Sequence, residues 1–391
     1  MTGLEHREVA SVIAGALDAE ALRAAGAERV GAWIRGGIEA LAHDVRSGRL
    51  SPEALGTRLT RAPLEDALET SVPNDDELAE AARILRDRPP AGRVAMILPS
   101  NVETAVVRPL VWALLARNEV AVRVSSRCPG ITRSLVARLH ERDQALGRAL
   151  GVLSLDRGQD AGFAALGAWA DALHVWGRDD TIARLRERMG RVPVAHGSGL
   201  SLAVISRRGA ERLEVEALAR DVARHDQRGC LSPQAVLLEE GSGNDARALA
   251  ARIFDALSRL EARWPRGRIE PDEAARERRW RDTAHAVGDW VGAAATHAVS
   301  VEQGAIRDTP GLRNVAVHTM SRAAIDALLA RLGSRLKSLG VVDLAAWPAG
   351  PQLGAHVVEI GAMQTPGLLA PADGAPPWTG FVEEAGPRST P

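Results

Sequence analysis

Apolar residues in the first part of the chain recur at helical spacing, with Leu17, Leu22, Val30, Trp33 and Ile34 separated by charges. Pro52 follows Ser51 and fits the first position of another helix. Residues 1–90 are therefore expected to be a helical region given over to packing and oligomer contacts, with no chemistry of its own. Arg88-Pro89-Pro90-Ala91-Gly92 reads as a linker. Beyond it the pattern changes to strands alternating with helices. Strands are predicted at Arg93–Leu98, Val120–Val124, Gly151–Leu155 and Ala172–Val175. Helices are predicted from about Thr104 to Arg117, at Thr132–Leu146, and from about Asp180 to Met189. Such alternation predicts an α/β fold, a parallel sheet with helices on both faces.

A second unit of the same kind opens near Leu200. It has a strand at Leu202–Ile205 and a helix over residues 211–224 with Val215, Leu218 and Val222 inward. The loop Asp226-Gln227-Arg228-Gly229-Cys230 and a strand at Ala235–Leu238 follow. Alternation continues to about residue 348. The tail 351–391 is rich in glycine and proline and is expected to be mostly irregular.

Composition narrows the function classes. The chain has 391 residues and 46% apolar content, enough for about two or three domains. A net charge of -1 gives no reason to expect nucleic acid or an acidic membrane surface as partner. No apolar run approaches the roughly 18 residues that span a bilayer. Glu5 and Glu8 interrupt any secretory pattern, so a soluble cytoplasmic protein is expected. Cys128 and Cys230 form no CxxC pair, and no Cys/His cluster suggests zinc, so no metal is expected. Tyrosine is absent, which excludes a Tyr-Lys proton relay. Lysine occurs once, at Lys337, in what reads as a charged helical stretch (Ser334–Ser338), a poor setting for a Schiff base. No phosphate-binding loop ending in GK[ST] is present.

Four features remain that could carry chemistry. Cys230 lies in a loop between helix and strand, where it is either an inert apolar residue or a nucleophile. Gly229 permits close backbone approach, and Arg228 and His225 are expected to lower the thiol pKa. Asn101 follows a strand, as a helix cap or as a side-chain amide aimed at an oxyanion. Gly177 ends a strand and opens a helix, which suits a phosphate, although many such turns use glycine for steric reasons. Gly241-Ser242-Gly243-Asn244-Asp245-Ala246 matches GxGxxA, but Glu239 and Glu240 precede it where a pyrophosphate would sit, so it reads as a turn.

Four blocks together resemble the aldehyde dehydrogenase superfamily, and within it the LuxC-type acyl-CoA reductases that make fatty aldehyde. They are ILPSNVETAVVRPLVWALLARNEVAVRVSSRCPG (97–130), AHGSGLSLAVIS (195–206), DVARHDQRGCLSPQAVLLE (221–239) and EIGAMQTPG (359–367). The block around Cys230 is the most specific. The resemblance implies a Rossmann-type NADP-binding domain over 91–197 and an α/β catalytic domain over 198–350. The 351–391 tail is then placed near the substrate mouth and oligomer contacts.

The resemblance also assigns residues. It makes Cys230 the nucleophile and Asn101 the oxyanion donor. Gly177 falls on the loop that holds the cofactor pyrophosphate, and Arg123 on a ribose-contacting lysine. Ser126 and Arg127 replace the region of a carboxylate that holds the ribose hydroxyls in NAD-preferring members. Losing that carboxylate removes repulsion of a 2′-phosphate, so NADPH is the expected cofactor. His196 stands where hydrolytic members carry a glutamate that activates water. It is either a packing residue at a domain junction or an acid/base group near the thiol.

The implied reaction is NADPH-dependent reduction of an acyl-CoA, fatty acyl by resemblance, to the aldehyde through an acyl-cysteine. An acyl-protein synthetase partner and a homo-oligomer are implied on the same basis. Two other readings stay open: an acyl-phosphate reductase of the glutamyl-phosphate type, and a non-catalytic scaffold on the same fold.

Overall fold

The computed structural model describes residues 17–99, 101–124, 129–156, 158–207, 209–241, 245–347 and 353–383. Among the described residues four helices come first: α1 (Glu20–Ala24), α2 (Ala27–Arg46), α3 (Arg61–Glu69) and α4 (Asp75–Leu85). α2 buries Val30, Trp33, Ile34, Ile38, Leu41 and Val45, a stripe at helical spacing. α4 starts with a capping box between Asn74 and Glu77.

The first sheet holds five strands, β1 (Arg93–Ile97), β2 (Glu119–Val124), β3 (Leu150–Ser154), β4 (Ala172–Trp176) and β5 (Val194–His196). All are parallel, in the order β3-β2-β1-β4-β5. Between them run α5 (Val107–Leu115), α6 (Gly130–Arg142), α7 (Gln144–Gly147), α8 (Asp160–Trp169) and α9 (Asp179–Met189). Strand alternation divides β1 between two cores. Val94 and Met96 face α2, α5 and α6, while Ala95 and Ile97 face Phe163, Leu166 and Leu185 of α8 and α9. α6 comes close to α2 because Gly37 has no side chain: a Cβ there would lie 2.4 Å from Leu139 Cδ2.

The second sheet has seven strands in the order β12-β11-β6-β7-β10-β9-β8. They are β6 (Leu200–Ile205), β7 (Ala235–Glu239), β8 (Trp290–Ala293), β9 (Ala298–Val301), β10 (Asn314–Met320), β11 (Leu336–Val341) and β12 (His356–Glu359). Only β8 runs antiparallel to its neighbour among these strands. Its helices are α10 (Val215–Ala223), α11 (Ala246–Glu261), α12 (Pro271–Val287) and α13 (Arg322–Leu332).

Several boundaries differ from the sequence expectation. The helix after β1 starts only at Val107, because residues 103–106 form a turn. The segment 211–224 splits into a 3-10 turn, Ala210–Arg212, and α10. Lys337 is in β11 and not in a helix: a 3-10 turn at Gly333–Arg335 ends the helical run, and Leu336 and Leu339 then enter the core between β6 and β12. The tail is irregular apart from β12, but it is firmly attached. It returns to the linker, where Ala91 N–H donates to the Phe381 carbonyl at 3.2 Å, and Phe381 stacks on His174 at 4.0 Å.

Asn118, fully buried, fixes this return. Its Oδ1 accepts from Gly92 N–H at 2.9 Å, and its Nδ2 donates to the carbonyls of Ala113 (3.0 Å) and Phe381 (2.9 Å). Asn118→Ala leaves the Gly92 N–H without its acceptor and removes two further buried hydrogen bonds, and is expected to cost about 2–4 kcal/mol in urea unfolding. A loss below about 1 kcal/mol would show that the return is held elsewhere.

Candidate active site

Strand order places the site. β1 and β4 are adjacent, but the chain leaves them in opposite directions, so a crevice opens beyond their carboxyl ends. β5 then ends at His196, and after Gly197-Ser198-Gly199 the chain enters β6 at Leu200. The carboxyl edge of the first sheet thus meets the amino edge of the second. A cleft of about 2140 Å³ lies there, lined among others by Asn101, Gly177, His196, Gly199, Cys230 and Lys337.

Cys230 reaches this cleft from a constrained loop. His225, Asp226 and Gln227 are all left-handed, with φ of 53°, 51° and 58°, a conformation that non-glycine residues seldom adopt. Buried Asp226 offsets the strain. Its carboxylate accepts from Arg313 Nε, Arg228 Nη1 and Gly267 N–H, each at 3.0 Å, and its backbone carbonyl accepts from Leu312 N–H at 3.0 Å. Gln227 pins the turn to Pro233 and Asn314. Beyond it Cys230 presents a free thiol to the cleft. Its carbonyl accepts from Ser201 Oγ at 2.7 Å.

Asn101 comes to the same loop. Its Nδ2 donates to the Arg228 carbonyl at 2.5 Å, two residues before the cysteine. It caps no helix, since the cap position of α5 is Val106. The cations expected beside the thiol are elsewhere. Arg228 is held by Asp226 and Glu273, and His225 lies 3.9 Å from Glu103. The carboxylates Glu103 and Glu273 are in turn held from the N-terminal region. Thr57 donates to Glu103 at 2.9 Å, and Arg58 pairs with Glu273 at 3.1 Å.

His196 has both ring nitrogens engaged. Nδ1 lies 2.7 Å from Asp373 Oδ2, Nε2 lies 3.5 Å from His174 Nδ1, and the ring stacks on Trp176 at 4.2 Å. Burial, then His196, depress the His174 imidazole to about 3, so it is neutral. The second oxygen of Asp373 accepts from Lys337 Nζ at 2.5 Å. Burial works against the Asp373 carboxylate, yet His196 and Lys337 hold its pKa below the usual range. Sequence reasoning passed over Lys337 and Asp373. The available signals were a lysine used once and the turn-forming pair Asp373-Gly374, with φ of 53° and 79°.

Cys230 is accessible but deep in the cleft, and that burial pushes its thiol up. Asp373 pushes the same way, and Lys337 opposes. Arg108 also lines the cleft. Its hydrogen bond runs from Nε to the Leu368 carbonyl at 3.3 Å, and its buried Nη2 has no partner. Burial outweighs the attraction of Glu77 and Asp373 and lowers its pKa to about 10.

On the first-sheet wall, Gly177 follows β4 and its N–H donates to the His196 carbonyl at 3.2 Å. The amino end of α9 opens just beyond it. Asp179 there is turned to Ser198 N–H at 2.9 Å, and Asp180 pairs with Arg178 and Arg184. The acids that would repel a diphosphate therefore have partners of their own. Arg123 lines the same wall, donating to the Leu155 carbonyl through Nε (3.1 Å) and Nη2 (2.6 Å). Ser126 and Arg127 lie outside the described residues, as do residues 242–244 of the GxGxxA match.

The pattern that defines the LuxC acyl-CoA reductases matches residues 54–371. The chain belongs to this family. The match begins within the helical region, well before residue 92, where the sequence blocks suggested. Solved structures agree on the fold. Aldehyde dehydrogenase 21 from Physcomitrella patens superposes with a TM-score of 0.73 at 14% identity, over 97% of this chain and 89% of that one. An NAD-dependent benzaldehyde dehydrogenase from Corynebacterium glutamicum gives 0.71 at 14% identity, over 92% and 87%. A glyceraldehyde-3-phosphate dehydrogenase from Methanocaldococcus jannaschii, solved with NADP, gives 0.64 at 10% identity, over 91% and 86%. No curated protein sequence matches the chain. The LuxC-family chain thus has the aldehyde-dehydrogenase fold, a Rossmann-type sheet joined to an α/β catalytic sheet, as the sequence resemblance implied. It is an oxidoreductase of the acyl-reducing, aldehyde-forming kind. Among its described residues, no helix is long and apolar enough to cross a membrane.

Two predictions follow from the charges under the cysteine loop. Asp226→Asn removes the carboxylate that Arg313 and Arg228 share, leaving them Glu261 and Glu273, and is expected to cost about 2–4 kcal/mol of unfolding free energy; a loss under about 1 kcal/mol would contradict the role given to Asp226. For Glu273, burial works to raise the carboxyl, but Arg228 and Arg58 prevail and hold it at about 2. A depressed folded pKa stabilises above the ordinary value of 4.5 and loses that stabilisation as pH falls toward 2. Unfolding midpoints measured between those pH values should fall more steeply in the native protein than in Glu273→Gln, and equal slopes would refute the assignment.

Proposed function

We propose that this LuxC-family protein reduces an acyl-CoA, with a fatty acyl group, to the aldehyde through an acyl-Cys230 intermediate, using NADPH. The observation that supports it most is the meeting of Cys230 and the Asn101 amide on one wall of a cleft between the two sheets. Cys230 thiolate attacks the thioester carbonyl, a carbon–sulfur bond forms, and the negative charge moves to the carbonyl oxygen. Asn101 Nδ2 and the Cys230 N–H donate to that oxyanion. Collapse breaks the bond to CoA, whose thiolate leaves and takes a proton from solvent. A reduced nicotinamide dinucleotide, when bound, supplies the hydride. Asn101 then holds the alkoxide of the reduced acyl group until the Cys230 sulfur departs as thiolate and aldehyde is released. His196 supports this site from the side. Its nitrogens hold Asp373 and face His174, and the position carries no carboxylate to activate water for hydrolysis.

The cofactor suits the crevice beyond β1 and β4, with the Gly177 turn and the amino end of α9 at its pyrophosphate. Arg123 lines that wall, and the sequence after it, Ser126-Arg127 where NAD-preferring members carry a carboxylate, favours a 2′-phosphate over the bare ribose. Cytoplasmic location, a homo-oligomer and an acyl-protein synthetase as donor complete the reading by family likeness. The charge of Arg108 in the cleft favours one second reading, an acyl-phosphate donor, and the size of the cleft favours CoA.

Steady-state reduction with NADPH and a series of acyl-CoAs and acyl phosphates tests the scheme. Asn101→Ala should lose about 10²–10³ in turnover while staying folded, and Cys230→Ser should be inactive. Full activity in Cys230→Ser ends the covalent mechanism. A clear preference for NADH ends the cofactor assignment, and cofactor binding without turnover of any donor would instead favour a scaffold.

A further inference from the structure

We propose that Lys337 is the cation that favours the Cys230 thiolate against its burial, and that Asp373 is the counter-charge that sets its strength. The inference rests on Cys230 being the nucleophile. Lys337 and Asp373 act through the sulfur and are positioning residues.

The first observation is compositional. The chain has 49 lysines and arginines, and lysine stands at position 337 alone. Wherever a surface or structural cation is needed, this sequence uses arginine. A site that keeps lysine needs what a guanidinium lacks, a compact point charge on a thin stem.

The second observation is a path made for that stem. Gly199, the last residue of the crossing into β6, has no room for a side chain. A Cβ there would lie 2.3 Å from Lys337 Cγ and 2.4 Å from Cε. The lysine lies flat over the glycine backbone, its side chain 8% exposed.

The third observation ties this path to the cysteine. Ser338, next to Lys337, donates its N–H to Ser201 Oγ at 3.0 Å, and Ser201 Oγ donates to the Cys230 carbonyl at 2.7 Å. The start of β11 and the nucleophile loop are thus joined through one hydroxyl. Lys337 and Cys230 line the same cleft.

Several of the other charged groups around the pair are directed elsewhere. Arg228 and His225 are turned to Asp226, Glu273 and Glu103. His174 is buried and neutral. His196 is directed at Asp373 and His174, and Asp179 at Ser198. Arg335 is exposed, at the turn that precedes β11. Arg108 and His356 line the cleft, with burial and then Arg108 holding His356 to about 4 and so neutral. The one salt bridge of the Lys337 ammonium among the described residues is to Asp373, which it shares with His196. The directions of influence agree: Asp373 works to raise the thiol and Lys337 to lower it. The Ala372–Ala375 turn of the C-terminal segment carries Asp373, so the tail tunes the thiol of the nucleophile loop.

The test is the pH dependence of Cys230 alkylation by iodoacetamide, read from the mass of the Cys230 peptide so that Cys128 does not interfere. Lys337→Met should move the midpoint up by about one pH unit or more, Lys337→Arg by less, and Asp373→Asn should move it down. A site merely loosened by substitution would move both charge-removing variants the same way. An unchanged midpoint in Lys337→Met, or an upward one in Asp373→Asn, overturns the proposal. Alkylation needs neither acyl donor nor reductant. An unmoved midpoint with intact reduction therefore refutes this inference alone, whereas moved midpoints without acyl transfer refute only the proposed function.

Discussion

The ion cluster around Asp226 is the constraint on which the site depends. Three consecutive left-handed residues are needed to turn the chain from α10 toward the cleft, and none of them is glycine. Such a turn unwinds unless something holds it. A fully buried carboxylate does so, gripped by Arg313, Arg228 and the Gly267 N–H. Buried charge is costly by itself, and here each charge has a partner, so the cost becomes a penalty for leaving this one geometry. The position of the Cys230 thiol and the carbonyl that receives Asn101 both follow from it.

A second constraint is the brevity of the crossing between sheets. Gly197-Ser198-Gly199 gives the chain no length to wander, so the carboxyl ends of one set of strands must meet the amino ends of the other. Cofactor chemistry on a Rossmann-type sheet belongs at the first edge, and the nucleophile loop arrives at the second. The C-terminal segment then closes the arrangement from outside. It joins the second sheet as β12 and returns to the linker through Asn118 and Phe381, carrying Asp373 between His196 and Lys337 on the way.

Much of this was legible in the sequence. Periodicity separated the helical start from the alternating units, because buried parallel strands are nearly continuous apolar runs. Cys230 and Asn101 were found through local blocks, and the fold brings Asn101 to the cysteine loop, where its amide donates to the carbonyl of Arg228, 127 positions along the chain. What local pattern could not give was direction. Arg228 and His225 flank the cysteine in sequence, and charge proximity along the chain suggested that they act on it, but the turn directs them at Asp226 within it and at Glu273 and Glu103 from other segments. Lys337 had the opposite fate: flanking arginines made its surroundings look helical, while pairing with β6 and β12 drew it into a strand. The part played by Thr57 and Arg58 was equally hidden, since their partners Glu103 and Glu273 lie far along the chain.

The proposed reaction requires that the Cys230 sulfur carry an acyl group that is afterwards reduced. Mass spectrometry of the full chain incubated with an acyl-CoA and no reductant tests this directly. The predicted result is one acyl adduct on the Cys230 peptide, which disappears on addition of NADPH as an equal amount of aldehyde forms. An unmodified Cys230, or an adduct on Cys128 in its place while aldehyde is still produced, would contradict it.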